Sequence, residues 1–334
     1  MAGRSCRPGS RSVPCRGRKT RFRPLSLVPI LHRAPRKPED RRVGIEKQAA
    51  KARRLQPAQT AAPPADGPGE ILLGGLRTVC LGRAALAQRM LEDCLAARRA
   101  PIPRPRLVFA SNGHAIALAA RDPGFRALFA QADIIHADSQ AAVFASRLLT
   151  GTPLPERSAT TDFIHDAAAL AAATGLRFFL LGATEETNAR AAAMLAARYP
   201  GLRIVGRRHG YFSPAEEDDI CDAINLTGAD VIWAGLSVPL EYEFAVRNRA
   251  RLKAGWLVTC GGCFNFVTGA YRRAPLWMQK AGLEWLHRLA REPRRLFWRY
   301  AVTNPLALYC LLTRTRALDA AKDERPAKPV RAAA

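Results

Sequence analysis

Two polar side chains closely follow predicted buried strands in the first half of the chain. Asn112 comes soon after the apolar run 106–110, and Asp138 comes directly after the run 133–137. Ligands of a parallel sheet bind beyond the carboxyl ends of its strands, where a carboxylate can take a proton from a hydroxyl as general base. Two structural roles are the alternatives. Asp138 would cap a helix that begins near Ser139, and Asn112 would be a turn residue.

The elements that must position these side chains alternate along the chain. Short apolar runs typical of buried strands lie at 76–81, 106–110, 133–137, 177–181, 202–205, 230–234 and 256–259. Helical patterns lie between them at 84–97, 140–149, 163–173, 185–197, 214–224 and 240–252. This alternation predicts an α/β fold, Rossmann-like, with a mostly parallel sheet and helices on both of its faces.

The charge of the chain is concentrated in two separate segments. The 334 residues carry 52 Lys/Arg against 28 Asp/Glu, a formal net charge of +24. Residues 1–60 hold 17 Lys/Arg and 3 Asp/Glu, whereas residues 271–316 hold 10 and 2, with aromatic side chains interleaved. The hydrophobic content of 48% is enough for a folded core, which excludes a chain that is disordered as a whole. We therefore assign a functional role to the second basic segment.

Residues 1–70 are predicted to be a disordered basic arm that ends in a Pro/Ala/Gly-rich linker at 56–70. A tether for nucleic acid or another anionic surface, an organellar transit peptide and an upstream extension from a misassigned start codon are the alternatives. The arm lacks the apolar core of about 7 to 15 residues that a secretory signal requires. We expect a cytoplasmic protein.

The cysteine and acidic patterns favour neither metal nor redox chemistry. The eight cysteines are scattered, so reduced thiols are expected rather than the disulfide framework of a small secreted domain. The C-x-x-C at 260–263 lacks the second ligand pair of a zinc site and the context of a thioredoxin-like unit. The chain contains no Asp-x-Asp, a pair of carboxylates at a spacing that can hold a divalent metal. We predict no metal and no cofactor.

Glycine, arginine and tryptophan are concentrated in a segment near the C-terminus. It comprises GGCFNFVTG at 261–269, RAPLW at 273–277, GLEWLHRL at 282–289, EPRR at 292–295 and Arg299. Together with Asn112, Asp138, ER at 156–157 and PLE at 239–241, this segment resembles the WecG/TagA/CpsF glycosyltransferases, also called glycosyltransferase family 26. The resemblance covers roughly residues 76–315, with the motifs in the same order and at similar spacing.

The resemblance makes Asp138 the catalytic base. In similar proteins this aspartate opens an Asp-Gly-x-Gly motif, which here stands as DSQA at 138–141, without either glycine. The Thr-x-Asn segment of the family stands as ASN at 110–112, so Asn112 keeps the amide that can hold a sugar hydroxyl. His114 is a second candidate for the base.

Two further motifs of the resemblance supply substrate-binding residues. PERSATTD at 155–162 resembles Glu-Arg-x-x-Gly-x-Asp, which implies that Arg157 reaches a diphosphate and that Asp162 orients it or caps the next helix. Arg157 is not expected to pair with Glu156, because adjacent side chains point apart on regular elements. GLSVPLEY at 235–242 resembles Gly-x-Gly-x-Pro-Lys-Gln-Glu, with Glu241 in the place of the glutamine that lines the site.

The diphosphate of a nucleotide-sugar donor needs positive charge, and arginine can supply it in the absence of metal because its planar fork pairs bidentately with phosphate. In the family, arginines of the C-terminal segment are thought to fold over the active site for this purpose. Their counterparts in this chain are Arg273, Arg288, Arg294, Arg295 and Arg299.

The C-terminal segment is also predicted to meet a membrane. Residues 71–270 form the predicted core, 271–316 a basic amphipathic, membrane-proximal helical appendage and 317–334 a disordered tail. The stretch 296–312 is too short and too interrupted to span a bilayer, which needs about 20 apolar residues. Its mixture of aromatic and basic residues suits the membrane interface, and an ordinary helix docked on the core is the equal alternative.

These predictions together describe an inverting, metal-independent glycosyltransferase at the inner face of the cytoplasmic membrane. Its donor would be a UDP-sugar (N-acetylmannosamine, its uronic acid or a hexose) and its acceptor an undecaprenyl-diphosphate-linked sugar of a bacterial surface or exopolysaccharide. A homo-oligomer is compatible with the resemblance, and no specific nucleic acid is expected. The alternatives are a catalytically inactive membrane scaffold, which the altered motifs favour, and a basic nucleic-acid-binding protein, whose charge would have to lie on a recognition element.

Overall fold

The structure of the protein is a computed structural model that describes residues 69–318 and residue 323. The predicted arm and linker lie outside the described residues except for Gly69 and Glu70. Most of the predicted tail lies outside them as well.

The described chain contains nine strands. They are β1 (Glu70–Leu73), β2 (Leu76–Val79), β3 (Arg106–Ser111), β4 (Ile134–Ala137), β5 (Arg177–Gly182), β6 (Arg203–Arg208), β7 (Val231–Gly235), β8 (Trp256–Thr259) and β9 (Arg316–Ala317). Six of them form one sheet in the order β4-β3-β8-β7-β5-β6, with every neighbouring pair parallel. The predicted α/β fold with a parallel sheet is confirmed.

Helices cover both faces of this sheet. They are α1 (Arg83–Arg99), α2 (Gly113–Arg121), α3 (Pro123–Ala130), α4 (Gln140–Leu149), α5 (Thr160–Thr174), α6 (Glu185–Arg198), α7 (Glu217–Thr227), α8 (Leu240–Asn248), α9 (Cys263–Val267), α10 (Leu276–Lys280), α11 (Glu284–Arg291) and α12 (Pro293–Thr313). A short 3₁₀ turn (Pro214–Glu216) precedes α7.

Alternate residues of each strand enter two separate cores. Leu107 and Phe109 of β3 pack in the core beneath α2, α3 and α8, whereas Val108 packs in the core beneath α1 and α5. Successive side chains of a strand point to opposite faces, so a strand buried on both faces has to be apolar throughout. This is why the sequence shows continuous apolar runs rather than alternation.

The run 76–81 was predicted as one of the alternating buried strands, and its place in the sheet is different. As β2 it pairs antiparallel with β1, and β1 pairs antiparallel with β9, which makes a separate three-stranded sheet. Gly74 and Gly75 form the turn between β1 and β2 with φ of +57° and +92°, a conformation that suits a two-residue hairpin. Gly-Gly in the sequence is therefore the signal for this hairpin.

Two helices between Asn112 and residue 130 were not predicted. Asn112 caps α2 by accepting a hydrogen bond from the Ala115 amide at 3.1 Å. Asp122 caps α3 by accepting from the amides of Gly124 and Phe125, and proline follows it at the first helical position. The capping residues Asn112 and Asp122 and the proline at 123 were the signals for these helices in the sequence.

Candidate active site

The predicted site residues of the core meet at the carboxyl edge of the parallel sheet. Asn112 follows β3, Asp138 follows β4, Glu241 lies in the first turn of α8 after β7, and Gly261 follows β8. The strands β4, β3, β8 and β7 are consecutive neighbours in the sheet. Four segments far apart in the chain thus place polar groups at one edge.

Asp138 does not cap the helix that follows it. The N-cap of α4 is Ser139, whose hydroxyl accepts from the Ala142 amide at 3.3 Å. The two carboxylate oxygens of Asp138 have other partners: Oδ1 accepts from the Thr160 amide at 3.1 Å and Oδ2 from Asn112 Nδ2 at 3.5 Å. The capping alternative is wrong, and the carboxylate is held from two other elements.

The environment of Asp138 favours the protonated form more than water does. Burial raises the pKa of Asp138 to about 6, against the hydrogen bonds from Asn112 and Thr160, which lower it. The charge of Glu284 raises this pKa further and the charge of Arg157 lowers it. A carboxylate with a pKa close to physiological pH can accept a proton during a reaction, which is the property that a general base needs.

Ser139 and Ala141, which replace the two glycines of the family motif in DSQA, adopt ordinary backbone conformations. Ser139 has φ of −126° and ψ of 146°, an extended conformation that any residue adopts, and Ala141 lies within α4. The glycine replaced in GLSVPLEY differs, because Ser237 has φ of +71° in the left-handed region that favours glycine. The departure from the family pattern thus costs conformational energy at Ser237 and none at Ser139.

The second candidate for the base, His114, is less suited to it. It lies in the first turn of α2, where burial and the nearby Arg299 lower its pKa to about 4. The ring is therefore neutral at physiological pH and a weaker base than Asp138. Within the described part of the chain, its Nδ1 is buried without a hydrogen-bond partner.

Glu241 is almost completely buried, with 3% of its surface exposed. Its Oε2 accepts from the Gly261 amide at 2.8 Å, which ties α8 to the end of β8. Burial raises the pKa of Glu241 to about 8, and the charge of Asp138 contributes in the same direction. No Lys or Arg among residues 69–318 lies within ion-pair distance of the Asp138 or Glu241 carboxylate. The raised pKa of Glu241 favours its protonated form at neutral pH.

The predicted diphosphate residues Arg157 and Arg273 are engaged with carboxylates. Arg157 donates to Glu284 at 2.7 Å and lies 3.5 Å from Asp162. Arg273 donates to both oxygens of Asp162 at 2.8 and 3.1 Å and to Glu284 at 3.0 Å. As expected, Arg157 does not pair with Glu156, which instead accepts from the Arg83 amide at 2.8 Å. Asp162 therefore orients both arginines from the first turn of α5, whose N-cap is Ala159.

The other arginines of the C-terminal segment lie beside aromatic rings or face solvent. Arg288 lies over the Phe266 ring at 5.5 Å, Arg295 over Tyr271 at 5.9 Å and Arg299 over Tyr300 at 5.1 Å. Arg294 is exposed. The role of all five arginines in diphosphate binding stays a prediction.

Sequence analysis missed Glu284, Gln279 and the Thr160 amide. The signal for Glu284 was present, because this acid stands within the GLEWLHRL segment that carries the family resemblance. Gln279 accepts from Arg157 at 2.6 Å and from Arg273 at 2.8 Å. The Thr160 amide has no side-chain signature, so only the path of the backbone brings it to Asp138.

The described residues contain neither a cluster of metal ligands nor a helix that could span a membrane. Among residues 69–318 and 323, no three or more His, Cys, Asp or Glu side chains come together as metal ligands could. Within the same residues, no helix combines the length and the apolar character needed to cross a membrane. Both cysteines of the C-x-x-C are buried free thiols.

The helices α10, α11 and α12 carry an exposed apolar surface. On α12 its members lie at helical spacing and comprise Phe297, Trp298, Val302, Leu308, Tyr309 and Leu312. Trp298 is 74% exposed, and Trp277 of α10 is 65% exposed. The opposite side of α12 buries Leu296, Ala307 and Cys310 against the body of the protein. The helix therefore has two apolar sides, one packed on the core and one open.

Comparison with known proteins shows a strong similarity to a described family. Residues 72–320 match the family described as "Glycosyl transferase WecG/TagA/CpsF family". A curated relative from Bacillus spizizenii (strain ATCC 23059 / NRRL B-14472 / W23), an N-acetylglucosaminyldiphosphoundecaprenol N-acetyl-beta-D-mannosaminyltransferase, is 28% identical over 199 residues. The alignment covers 60% of this chain and 76% of the relative.

A solved structure of an arylmalonate decarboxylase mutant, in its sulfate-associated form, matches 60% of this chain and 83% of its own. The sequence identity is 17% and the TM-score is 0.20, so no structural relationship is inferred from this match.

Proposed function

The chain belongs to the WecG/TagA/CpsF family of glycosyl transferases, and on this premise we propose that it transfers a sugar from a UDP-sugar to an undecaprenyl-diphosphate-linked acceptor with inversion. It is a glycosyltransferase, and the predicted family is confirmed. The donor, the acceptor and the stereochemistry are part of the proposal. The name of the Bacillus relative supports N-acetylmannosamine as the first donor sugar to test and a diphosphoundecaprenol-linked N-acetylglucosamine as the first acceptor.

One observation carries the proposed mechanism: the carboxylate of Asp138 lies at the carboxyl edge of the sheet with a pKa of about 6 and no cation in ion-pair contact among the described residues. Asn112 and the Thr160 amide hold it in one orientation. A carboxylate that is held in place but not neutralised is available to accept a proton.

The reaction is a single displacement. Asp138 takes the proton from the attacking hydroxyl of the acceptor sugar, and the oxygen forms a bond to the anomeric carbon of the donor. The bond between that carbon and the β-phosphate oxygen breaks on the opposite face, and its electron pair leaves with UDP. The proton remains on Asp138 and passes to solvent after product release. Attack from the face opposite the leaving group inverts the anomeric configuration.

The leaving diphosphate needs positive charge as its bond to carbon breaks. Arg288 of α11 lies over the Phe266 ring of α9, and Arg299 of α12 is close enough to His114 of α2 to lower its pKa. Neither has an Asp or Glu partner among the described ion pairs, whereas Arg295 of α12 pairs with Glu292. Their guanidinium groups suit a diphosphate because they donate in pairs and keep their charge. We propose that these arginines stabilise UDP, with no metal required.

The acceptor is the reason to propose a peripheral membrane location. An undecaprenyl chain stays in the bilayer, so its diphosphate-linked sugar is presented at the membrane surface. Residues 271–316 carry the exposed aromatic and aliphatic side chains of α12, the exposed Trp277 of α10 and the exposed basic residues Arg291, Arg294 and Arg295. Such a surface suits the boundary between head groups and acyl chains. We propose that residues 271–316 form the part of the enzyme that touches the membrane.

The test is transfer from a panel of UDP-sugars to a synthetic polyprenyl-diphosphate-linked N-acetylglucosamine in the presence of EDTA. Wild type is compared with Asp138→Asn, and Asp222→Asn, which alters an exposed ion pair with Arg251, is the matched control. Product in wild type and control but not in Asp138→Asn supports the proposal. No product with any donor, from folded protein, contradicts it and favours a scaffold without catalytic activity.

A further inference from the structure

The ion pairs that join the core to the C-terminal helices form one closed cluster. The core contributes Arg157 and Asp162, and the C-terminal segment contributes Arg273, Gln279 and Glu284. Glu284 accepts from Arg157 at 2.7 Å through one oxygen and from Arg273 at 3.0 Å through the other. It is separated from Arg157 by 127 positions in the chain. We call this cluster the bridge.

The bridge is balanced in charge and shielded from solvent. It holds two guanidinium groups and two carboxylates, and the side chains of Arg157, Arg273, Glu284 and Asp162 keep only 13%, 23%, 22% and 28% of their surfaces exposed. Partly buried charges of this kind are stable only if both signs are present and well hydrogen-bonded. Removing one member leaves its partners buried without compensation.

The two arginines have few hydrogens left for another anion. The Nε and both terminal nitrogens of Arg273 donate to Glu284, Asp162, Thr161 and Gln279. Both terminal nitrogens of Arg157 donate to Glu284, Gln279 and Asp162. Gln279 is held in turn by donating to the Ala274 carbonyl at 2.7 Å. This geometry fixes two parts of the chain together and leaves the diphosphate to the arginines outside the bridge.

The charges of the bridge are also close enough to Asp138 to change its pKa. Glu284 raises the pKa of Asp138 and Arg157 lowers it. The other charged or titratable groups that interact with Asp138 come from α8, α9 and the start of the C-terminal segment; they are Glu241, Tyr242, Cys263 and Arg273. Glu284 is the acid of this set that stands on the C-terminal helices.

We propose that Glu284 is a positioning residue of the transferase. Its carboxylate ties α11 to Arg157 of the core, and turnover depends on this tie because α11 and α12 carry the arginines that receive the leaving diphosphate. The inference rests on the proposed function and adds a residue and a role to it. Arg157 and Arg273 then serve the same site by holding Glu284 rather than by binding the donor directly.

The experiment compares wild type, Glu284→Gln and the control Asp222→Asn in the transfer assay across pH, with UDP affinity measured by calorimetry. We expect Glu284→Gln to lower kcat by about 10- to 100-fold and to change KM for the donor by less than about threefold, the pattern of misplaced catalytic groups. The acid limb of its pH–rate profile, where activity falls as Asp138 is protonated, shifts to lower pH by about half a unit. The reason is that Asp138 loses a nearby negative charge, which lowers its pKa. A role in folding alone would not move that limb.

The opposite assignment gives the opposite result. If Arg157 and Arg273 form the diphosphate site and Glu284 only occupies it, Glu284→Gln binds UDP more tightly than wild type. That result overturns the proposal, as does an unchanged kcat with an unchanged acid limb. Wild type without transfer activity would instead contradict the proposed function itself, so the two failures are distinguishable.

A second variant covers the case in which Glu284→Gln does not fold. Gln279→Met removes the neutral acceptor shared by both guanidinium groups and keeps every charge. We expect kcat to fall by roughly severalfold, because the variant loses the hydrogen bonds that Gln279 accepts from both arginines, and we expect the acid limb to be unchanged. A folded Gln279→Met enzyme with wild-type kcat overturns the proposal.

Discussion

Buried acids have opposite electrostatic environments at the two edges of the parallel sheet. At the amino edge Asp230 precedes β7 with 3% of its surface exposed. It pairs with Arg98 at 2.7 Å and with Arg177 at 3.2 Å, and it accepts from the Arg177 amide at 2.7 Å. These hydrogen bonds and charges outweigh the effect of burial and lower the pKa of Asp230 below its usual value. The acid is ionised and fully partnered.

At the carboxyl edge, Asp138 and Glu241 have no cation in ion-pair contact among the described residues. Their pKa values rise to about 6 and about 8, because burial outweighs the hydrogen bonds that each receives. A protein gains stability from a buried acid only when the charge is matched, so the carboxyl edge gives up stability that the amino edge keeps. Raised pKa values of acids, rather than buried acids as such, therefore indicate the candidate active site in this fold.

The largest effect expected from this contrast is the loss of turnover in Asp138→Asn. The amide cannot take the proton of the acceptor, so kcat should fall by roughly 10²- to 10⁴-fold. The melting temperature at pH 8 should be equal to that of wild type or higher, since the variant removes a buried charge that has no cationic partner within the described part of the chain. Steady-state transfer and thermal unfolding on the same preparation check both parts. An active variant would place the base elsewhere.

Asp230→Asn should produce the opposite pattern. The substitution leaves Arg98 and Arg177 without their anion and should lower the free energy of unfolding by about 2 kcal/mol. This is less than for a fully buried pair, because both arginine side chains are about one-third exposed and partly screened by solvent. Denaturant unfolding measures the loss, and kcat of the folded fraction should stay within about twofold of wild type. A large drop in kcat with normal stability would break the comparison.

The pH dependence of transfer should reveal the carboxyl edge directly. Asp138 must be deprotonated to act as base, and its pKa lies at about 6. We therefore expect kcat/KM to rise about tenfold per pH unit below that value and to level off above it. A pH–rate profile with EDTA present measures this limb. A limb near pH 4 would mean that Asp138 is paired with a cation during the reaction.

The smallest effect concerns the stability contributed by Glu241. Its pKa is about 8 in the folded protein and 4.5 as the ordinary value, so the folded state binds more protons between those two pH values. The contribution of Glu241 to stability is present below pH 4.5 and is lost as pH rises to about 8. Glu241→Gln should thus match wild type in acid and exceed its melting temperature by on the order of 5 °C at pH 8.5. Thermal unfolding across pH checks this, and a constant difference would contradict it.

The activity of Glu241→Gln sharpens the same point. Glutamine is neutral and of similar size, as the protonated glutamate is at neutral pH, so transfer at pH 7 should stay within about threefold of wild type. Glu241→Ala serves as control, because alanine also removes the hydrogen bond that Glu241 accepts from the Gly261 amide. Strong loss in the Gln variant would mean that the ionised carboxylate is required.

Much of the fold and part of the site were predictable from local patterns. The apolar runs predicted five of the six parallel strands to within about two residues at each end, and the sixth strand, β6, extends further than its run. The parallel arrangement then implied that Asn112 and Asp138 lie at one edge. The hairpin of β1 and β2 was missed because a short apolar run does not specify its partner, and β9 pairs with β1 from the other end of the described chain.

The capping question shows where local reasoning ended. An aspartate before a helix is compatible with capping, and the competing serine one position later is equally compatible. Ser139 takes the role, while the Thr160 amide, 22 positions away, donates to Asp138. Which of two adequate residues caps the helix depends on what else each can reach, and that is a property of the folded chain.

The amino-acid sequence by itself determined the family, the alternation of strands and helices and the edge at which Asp138 stands. These depend on periodicity and on motifs within a few residues of each other, because burial on a strand or helix repeats over short distances. The tertiary structure decided that Asp138 and Glu241 lack cations among the described residues and that Glu284 joins Arg157 and Arg273. Pairing between charges over 100 positions apart depends on which side chains the packed elements bring within about 3 Å of one another, and burial then sets the strength of each interaction.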